Sequence, residues 1–243
     1  MKIIKLDAID STNSFLRQLY AHNEVDDFTV VTTKNQTAGR GQMGAVWKTQ
    51  EGKNLTASVF KSVSCLNHED QFYVSMAVSL AIYTTLEKLL IPDLKIKWPN
   101  DILSGDKKIC GILIENIFKG HALEASIIGV GLNVNQTDFE GLPQASSLKA
   151  LTGVHYNLDE VLQELVSQLE DYSKYIEQQQ FKMLKAAYEE KLFRIEKPST
   201  FKDKKGRLFM GFIKGVTDRG KLKLLLEDEI TAEFDLKEVQ LLY

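Results

Sequence analysis

Cysteine is nearly absent: the 243-residue chain has two, Cys65 and Cys110, far apart and without CxxC spacing. That excludes a redox pair or a zinc knuckle and leaves two small apolar residues of a reduced cytoplasm. The four histidines are scattered and build no metal site. No apolar run approaches the roughly 18 residues a membrane helix needs. The start, Met1-Lys2-Ile3-Ile4-Lys5-Leu6-Asp7, lacks the apolar stretch of a signal peptide. Charge of either sign is not in large excess, the formal net being -3, so nothing argues for nonspecific nucleic-acid binding. The small basic cluster Lys202, Lys204, Lys205 and Arg207 is broken by Asp203 and followed closely by turn signals, so it reads as a solvated turn. Repeats and low-complexity segments are missing too. With 44% hydrophobic residues, the chain has the composition of a soluble protein with a real core.

Ser11-Thr12-Asn13-Ser14 offers helix-capping side chains, and Phe15, Leu16, Leu19 and Tyr20 follow at helical spacing. Residues 28–33, 45–47 and 55–60 are rich in β-formers and read as strands. From about Glu69 to Leu90 a broad apolar face without proline predicts a long buried helix, stopped by Pro92. Three more strands follow, at 94–98, 108–115 and 125–134, whose order predicts a mixed or antiparallel sheet. Residues 158–192 read as two helices. Beyond Arg194 short apolar runs broken by Gly206, Gly215 and Gly220 predict a small β-barrel. The expected organisation is an α+β unit over 1–190, a mixed sheet packed with helices, and a small β-domain over 191–243.

Two motifs carry chemistry. Gly39-Arg40-Gly41-Gln42-Met43-Gly44 is a glycine turn holding a cation; glycines let backbone N–H groups approach an anion closely. Its GxGxxG pattern does not make a dinucleotide fold, because Ala45-Val46-Trp47 leads into no helix. With Val46 it also fits the glycine loop of a protein kinase, yet His-Arg-Asp and Asp-Phe-Gly are both missing, Asp138-Phe139-Glu140 being the nearest approach. Gly52-Lys53 is followed by Asn54, so there is no Walker sequence either. The turn is a flexible hairpin or an anion site. Lys97-Trp98-Pro99-Asn100-Asp101 sets a cation, an aromatic and two polar groups around a proline. It presents either a surface ion pair worth about 0–1 kcal/mol or a lysine and an acid facing a ligand, and the residues leave both open. Lys108 is an edge lysine or a ligand cation, and Asn133 closes the strand Gly129-Val130-Gly131-Leu132. No Ser-His-Asp, Cys-His or paired-carboxylate set is present. Any chemistry then rests on binding, orientation and positive charge around a phosphate.

Taken in order, Ser11-Thr12-Asn13, Gln36 ahead of Gly39-Arg40-Gly41, the Lys97–Asp101 turn, the run from Lys108 through Gly111 to Glu115, and Gly129–Asn133 resemble the biotin protein ligases over about residues 5–135. That resemblance implies a class II synthetase-like catalytic fold with a C-terminal SH3-like barrel. It also implies ATP-dependent formation of biotinyl-5'-adenylate, then transfer of biotin to a lysine of a biotin carboxyl carrier protein. By the same resemblance, Ser11, Thr12, Asn13, Gln36, Gly39 and Gly111 bind biotin. Arg40 and Lys108 act on its carboxylate and on the adenylate phosphate. Gly41, Gly44, Trp47, Lys97, Asn100, Asp101 and Asn133 serve the ATP side, with Trp47 packing on the adenine and Asp101 reaching Mg²⁺ through the nucleotide. A cytoplasmic enzyme, monomer or homodimer, is implied. Because the Ser-Thr-Asn motif starts at residue 11, no DNA-binding helix-turn-helix is expected ahead of it. Gln42 and Met43 stand where the family often has further arginines, so this loop is less basic. A lipoate ligase and a non-catalytic binding protein of the same fold are the rival readings. The Lys-Trp-Pro-Asn-Asp and Gly-Arg-Gly sequences favour biotin over lipoate, and the retention of Arg40, Lys97 and Lys108 disfavours a non-catalytic role.

Overall fold

The computed structural model describes residues 2–120 and 122–243. The chain order begins β1 (Ile3–Ile9), α1 (Thr12–His22), β2 (Val30–Gln36), β3 (Leu55–Ser62) and α2 (Phe72–Lys88). It continues β4 (Leu94–Lys97), β5 (Asp101–Ser104), β6 (Lys107–Lys119), β7 (Ala122–Leu132) and α3 (Leu148–Thr152). Then come α4 (Leu158–Glu177), α5 (Phe181–Glu190), β8 (Pro198–Asp203), β9 (Leu208–Val216), β10 (Leu222–Leu225), β11 (Thr231–Phe234) and β12 (Val239–Leu242).

The first seven strands form one sheet in the order β1-β2-β3-β7-β6-β5-β4. Only β1 and β2 run parallel, so the sheet is mixed, as the strand order led one to expect. Its two faces bury separate cores, because neighbouring strand residues point to opposite sides. Val30 and Ile128 face the large core under α2, α4 and α5, whereas Val31 and Ile127 face a small one under α1 with Leu16 and Phe60. Helix α2 is buried along most of its length, including Met76, Leu80, Ala81 and Leu86. It starts at Phe72, after a separate turn at His68–Asp70, and ends at Lys88 ahead of Pro92. Helix α1 is capped by Ser11, whose side chain accepts from the Ser14 N–H at 3.4 Å.

Two expectations need correction. Residues Ala45–Trp47 form no strand; a lone bridge between Arg40 and Val46 is all the pairing there, because Trp47 lies flat on the sheet instead of pairing at its edge. The C-terminal strands form a five-stranded antiparallel sheet in the order β11-β10-β9-β8-β12, with the SH3-like pattern of short strands. It is not a closed barrel, since the outer strands β11 and β12 are not paired to each other. This sheet shares the large core, to which it adds Phe201, Ile213, Val216 and Leu224. Around Asp203 the basic cluster is indeed a turn: the carboxylate accepts from the Lys205 and Arg207 N–H groups and pairs with the Arg207 guanidinium. Among the described residues no helix is long and apolar enough to cross a membrane.

Candidate active site

On the α1 face, β7 runs Ala125, Ile127, Gly129, Gly131, so the small core gives way to bare backbone. Cross-strand pairing extends the gap sideways: Gly131 lies opposite Gly111 on β6, and Gly129 opposite Ser58 on β3. Two side chains occupy the space. A Cβ on Gly129 would come within 2.5 Å of Asn13 Oδ1, and one on Gly131 within 2.6 Å of Trp47 Nε1. Gly39 is equally tied, since its missing Cβ would strike the Trp47 carbonyl oxygen. Glycine at these places is a matter of close approach, not of turn geometry.

The start of α1 carries a buried polar cluster. Gln36 Oε1 accepts from the Thr12 N–H at 3.0 Å and lies 3.2 Å from Thr12 Oγ1. Ser58 Oγ is 2.7 Å from Thr12 Oγ1 and 2.5 Å from Asn13 Oδ1. Ser11, Thr12, Asn13 and Ser58 are all buried. Replacing Ser58 with alanine would strand the Asn13 carbonyl and cost about 1–3 kcal/mol. A urea titration of Ser58→Ala tests this; an unchanged midpoint would show that the hydroxyl carries no such load.

The cations converge from three segments. Lys108 Nζ stands 2.6 Å from Asp101 Oδ1, and Lys97 Nζ is 3.6 Å from Asp101 Oδ2. Asp101 is only 14% exposed, so this is not the surface pair that one reading of the motif allowed. Lys108 Nζ also lies 5.5 Å from the centre of the Trp47 ring, and Lys97 Nζ 5.1 Å from that of Tyr243. Burial and the nearby Asp101 charge push the Tyr243 hydroxyl above its ordinary pKa. Arg40 Nη2 reaches Ser14 Oγ and Glu115 Oε2, both at 3.1 Å.

Two cavities flank these groups. One, of about 180 Å³, is lined by Arg40, Gly41, Asn100, Gly111 and Ile112 among others. A larger one, of about 740 Å³, is lined by Lys97, Asn133, Tyr243 and the 139–145 loop among others. Trp47, Asp101 and Lys108 line both, which makes them the partition between the two spaces. The buried indole N–H of Trp47 has no acceptor among the described residues.

Asn100 and Asn133 spend their amides on scaffold: Asn100 Nδ2 donates to Ile112 O at 2.8 Å, and Asn133 Nδ2 to Ser146 O at 3.0 Å. Gly44 has open space around its Cα in a left-handed turn, φ +83°, and serves loop shape. Trp98 is drawn away from the cavities, its indole N–H donating to Gly220 O of the C-terminal sheet at 2.9 Å. Cys110, one residue before Gly111, is fully buried, and burial pushes its thiol above the ordinary range, so it supplies no thiolate.

The donor set does not fit a protein-held Mg²⁺. Both oxygens of Asp101 face lysines, and no group of three or more metal-ligating side chains occurs among the described residues. Glu115 and Ser14 were missed as contributors. Glu115 lies at the end of the Lys108–Glu115 run, but nothing in the sequence couples it to Arg40, 75 residues away.

Relatives point the same way. The chain is 36% identical over 135 residues to the bifunctional ligase/repressor BirA of Bacillus subtilis, covering 55% of this chain and 41% of that one. It is 32% identical over 163 residues to a biotin–[acetyl-CoA-carboxylase] ligase of Mycobacterium tuberculosis, 66% of this chain and 59% of that one. The chain thus spans about half the length of these relatives. A solved biotin protein ligase from Aquifex aeolicus, in complex with biotin and ATP, superposes with a TM-score of 0.83 at 26% identity, covering 99% and 98% of the two chains. The model of the biotin/lipoate A/B protein ligase family matches residues 6–133, more than half of the sequence, and the chain belongs to that family.

Proposed function

We propose that this chain is an ATP-dependent biotin ligase acting on a biotin carboxyl carrier protein. The observation that carries the reading is the convergence of Arg40 and Lys108 on one small cavity beside the Gly111–Gly131 gap, whose described lining holds no serine, threonine, cysteine or histidine. In the first step a carboxylate oxygen of biotin attacks the α-phosphorus of ATP. The bond to pyrophosphate breaks, and biotinyl-5'-adenylate remains. In the second step an acceptor lysine amine attacks the carbonyl carbon of that mixed anhydride. An amide forms, AMP leaves, and the ammonium proton passes to solvent.

The residues divide the work by position. The Ser11, Thr12, Asn13 and Gln36 cluster, with Gly39 and Gly111, receives the polar head of biotin. Arg40 and Lys108 hold the carboxylate against the α-phosphate and take the charge that develops there. The larger cavity, with Lys97, Asn133 and Tyr243, takes the nucleotide, and Asn100 and Asp101 shape its entrance. A ligand acceptor would satisfy the orphaned Trp47 N–H. Gly41 and Gly44 let the turn close and exclude water. Mg²⁺ belongs to the nucleotide's phosphates in this reading, not to a protein site. Residues 1–190 carry the chemistry, and 191–243 brace the Lys97–Asp101 turn through Trp98 and lend Tyr243 to the nucleotide cavity. A cytoplasmic protein acting as monomer or homodimer, without a DNA-binding function, completes the reading.

Purified protein with ATP and Mg²⁺ is expected to release pyrophosphate with biotin and then to label a carrier domain. No release with biotin would overturn the reading, and release with lipoate alone would make it a lipoate ligase.

A further inference from the structure

A continuous hydrogen-bonded path joins the polar cluster to the glycine turn. It runs Gln36, Thr12, Ser58, Asn13, Glu115, Arg40. The link in question is Glu115 Oε2, which accepts from Asn13 Nδ2 at 2.8 Å and from Arg40 Nη2 at 3.1 Å. Glu115 is 21% exposed, and a second cation, Arg17, stands 3.9 Å from its other oxygen. An exposed ion pair contributes little. This carboxylate differs because it also satisfies the amide of a buried asparagine.

The geometry leaves Arg40 half committed. A guanidinium has five N–H donors. Only those on Nη2 are used among the described residues, by Ser14 and Glu115, and Nε and Nη1 remain for an anion in the cavity that Arg40 lines. Backbone bonds from the Gly41 N–H to Ala45 O and from the Trp47 N–H to Gly39 O hold the turn on either side of Arg40, but they do not aim the far end of its long side chain. Its direction therefore comes from outside the turn.

We propose that Glu115 is the positioning residue that aims Arg40 at the ligand anion and couples occupancy of the Gln36–Thr12 cluster to closure of the glycine turn. The identity of the ligand rests on the biotin reading; the tether is a property of the protein without ligand.

Two measurements on the full chain separate these. Backbone hydrogen exchange over residues 39–47 is followed with and without biotin in wild type, Glu115→Ala and Glu115→Gln. Without ligand, exchange in this segment is expected to rise about tenfold in Glu115→Ala, the size of a coupling between contacting residues. The slowing caused by biotin in wild type is expected to vanish in Glu115→Ala. Glu115→Gln keeps an acceptor for Asn13 but loses the charge on Arg40. Its KM for biotin in pyrophosphate release stays near wild type, while kcat falls about tenfold. A merely structural role would lower the amount of folded protein without splitting KM from kcat. Wild-type exchange over 39–47 in both variants without ligand, or wild-type kcat in both, would overturn the proposal. If Glu115→Ala does not fold, Glu115→Gln decides by the same criteria. If wild type releases no pyrophosphate with biotin, the substrate assignment fails, and the ligand-free exchange still judges the tether.

Discussion

Lys108→Ala is expected to remain folded and to lose about 10²–10³-fold in the rate of adenylate formation, the usual effect of removing a preorganised donor from developing charge. The expectation follows from where the ammonium stands. It is on the partition between the two cavities, 2.6 Å from Asp101 and above the Trp47 ring, so it meets both the carboxylate side and the nucleotide side. Loss of the charge leaves Asp101 with Lys97 at 3.6 Å, which keeps the carboxylate partly compensated and the fold intact. Because the lost interaction is strongest when charge builds on the phosphate, kcat should fall more than KM rises. Single-turnover pyrophosphate release separates the two. A rate within threefold of wild type, in protein with an unchanged melting curve, would remove Lys108 from the chemistry.

Gly131→Ala is the second large effect, and it is steric. Gly131 has no positive φ, so alanine meets no backbone strain there. Its methyl group, however, would sit within 2.7 Å of several indole atoms of Trp47, and the ring has little room to sink, because it already lies over the Gly111 backbone on the next strand, so close that an added Cβ there would be 3.0 Å from it. Trp47 must lift, taking the partition and the end of the glycine turn with it, since the Trp47 N–H donates to Gly39 O at 2.9 Å. A displacement of this order costs about 10²-fold in rate. Tryptophan emission recorded in a Trp98→Phe background should shift to the red as the indole meets water. An unshifted spectrum together with an unchanged KM for biotin would refute the steric account.

Local signals were readable wherever local physics decides the outcome. Ser11 caps α1 as its side chain suggests, and the broad apolar face of α2 is buried in the large core shared with α4, α5 and the sheet. The glycine turn and the Lys97–Asp101 turn were likewise visible as motifs. What stayed hidden depends on partners distant in sequence. Strand β1 does alternate, with Ile4, Leu6 and Ala8 against Lys5 and Asp7, but its place at the edge of the sheet and its parallel pairing with β2 are decided by residues beyond α1. Strand β5 is four residues long and exists because β4 and β6 flank it. Trp47 followed two β-compatible residues and read as part of a strand, yet burying the indole on bare glycines outweighs pairing at an edge. Asp101 has two lysine partners, of which only Lys97 is near enough in sequence to be guessed. The opening of the C-terminal sheet is of the same kind: strands and turns can be read one by one, whereas closure is decided between β11 and β12.

The bare backbone at Gly111, Gly129 and Gly131 has a consequence for how such a pocket changes over evolutionary time. A cavity whose floor is made of side chains can be deepened or made shallower by substitution. Here the glycines underlie the walls: Trp47 rests on Gly111 and Gly131 and Asn13 on Gly129, so every replacement pushes a wall residue outward. Selectivity among ligands can then drift only by refitting Trp47 and the α1 cluster themselves, or by filling in the glycines beneath them. The first route trades one ligand for another of similar thickness; the second admits only thinner ones, and reversion to glycine is its sole way back.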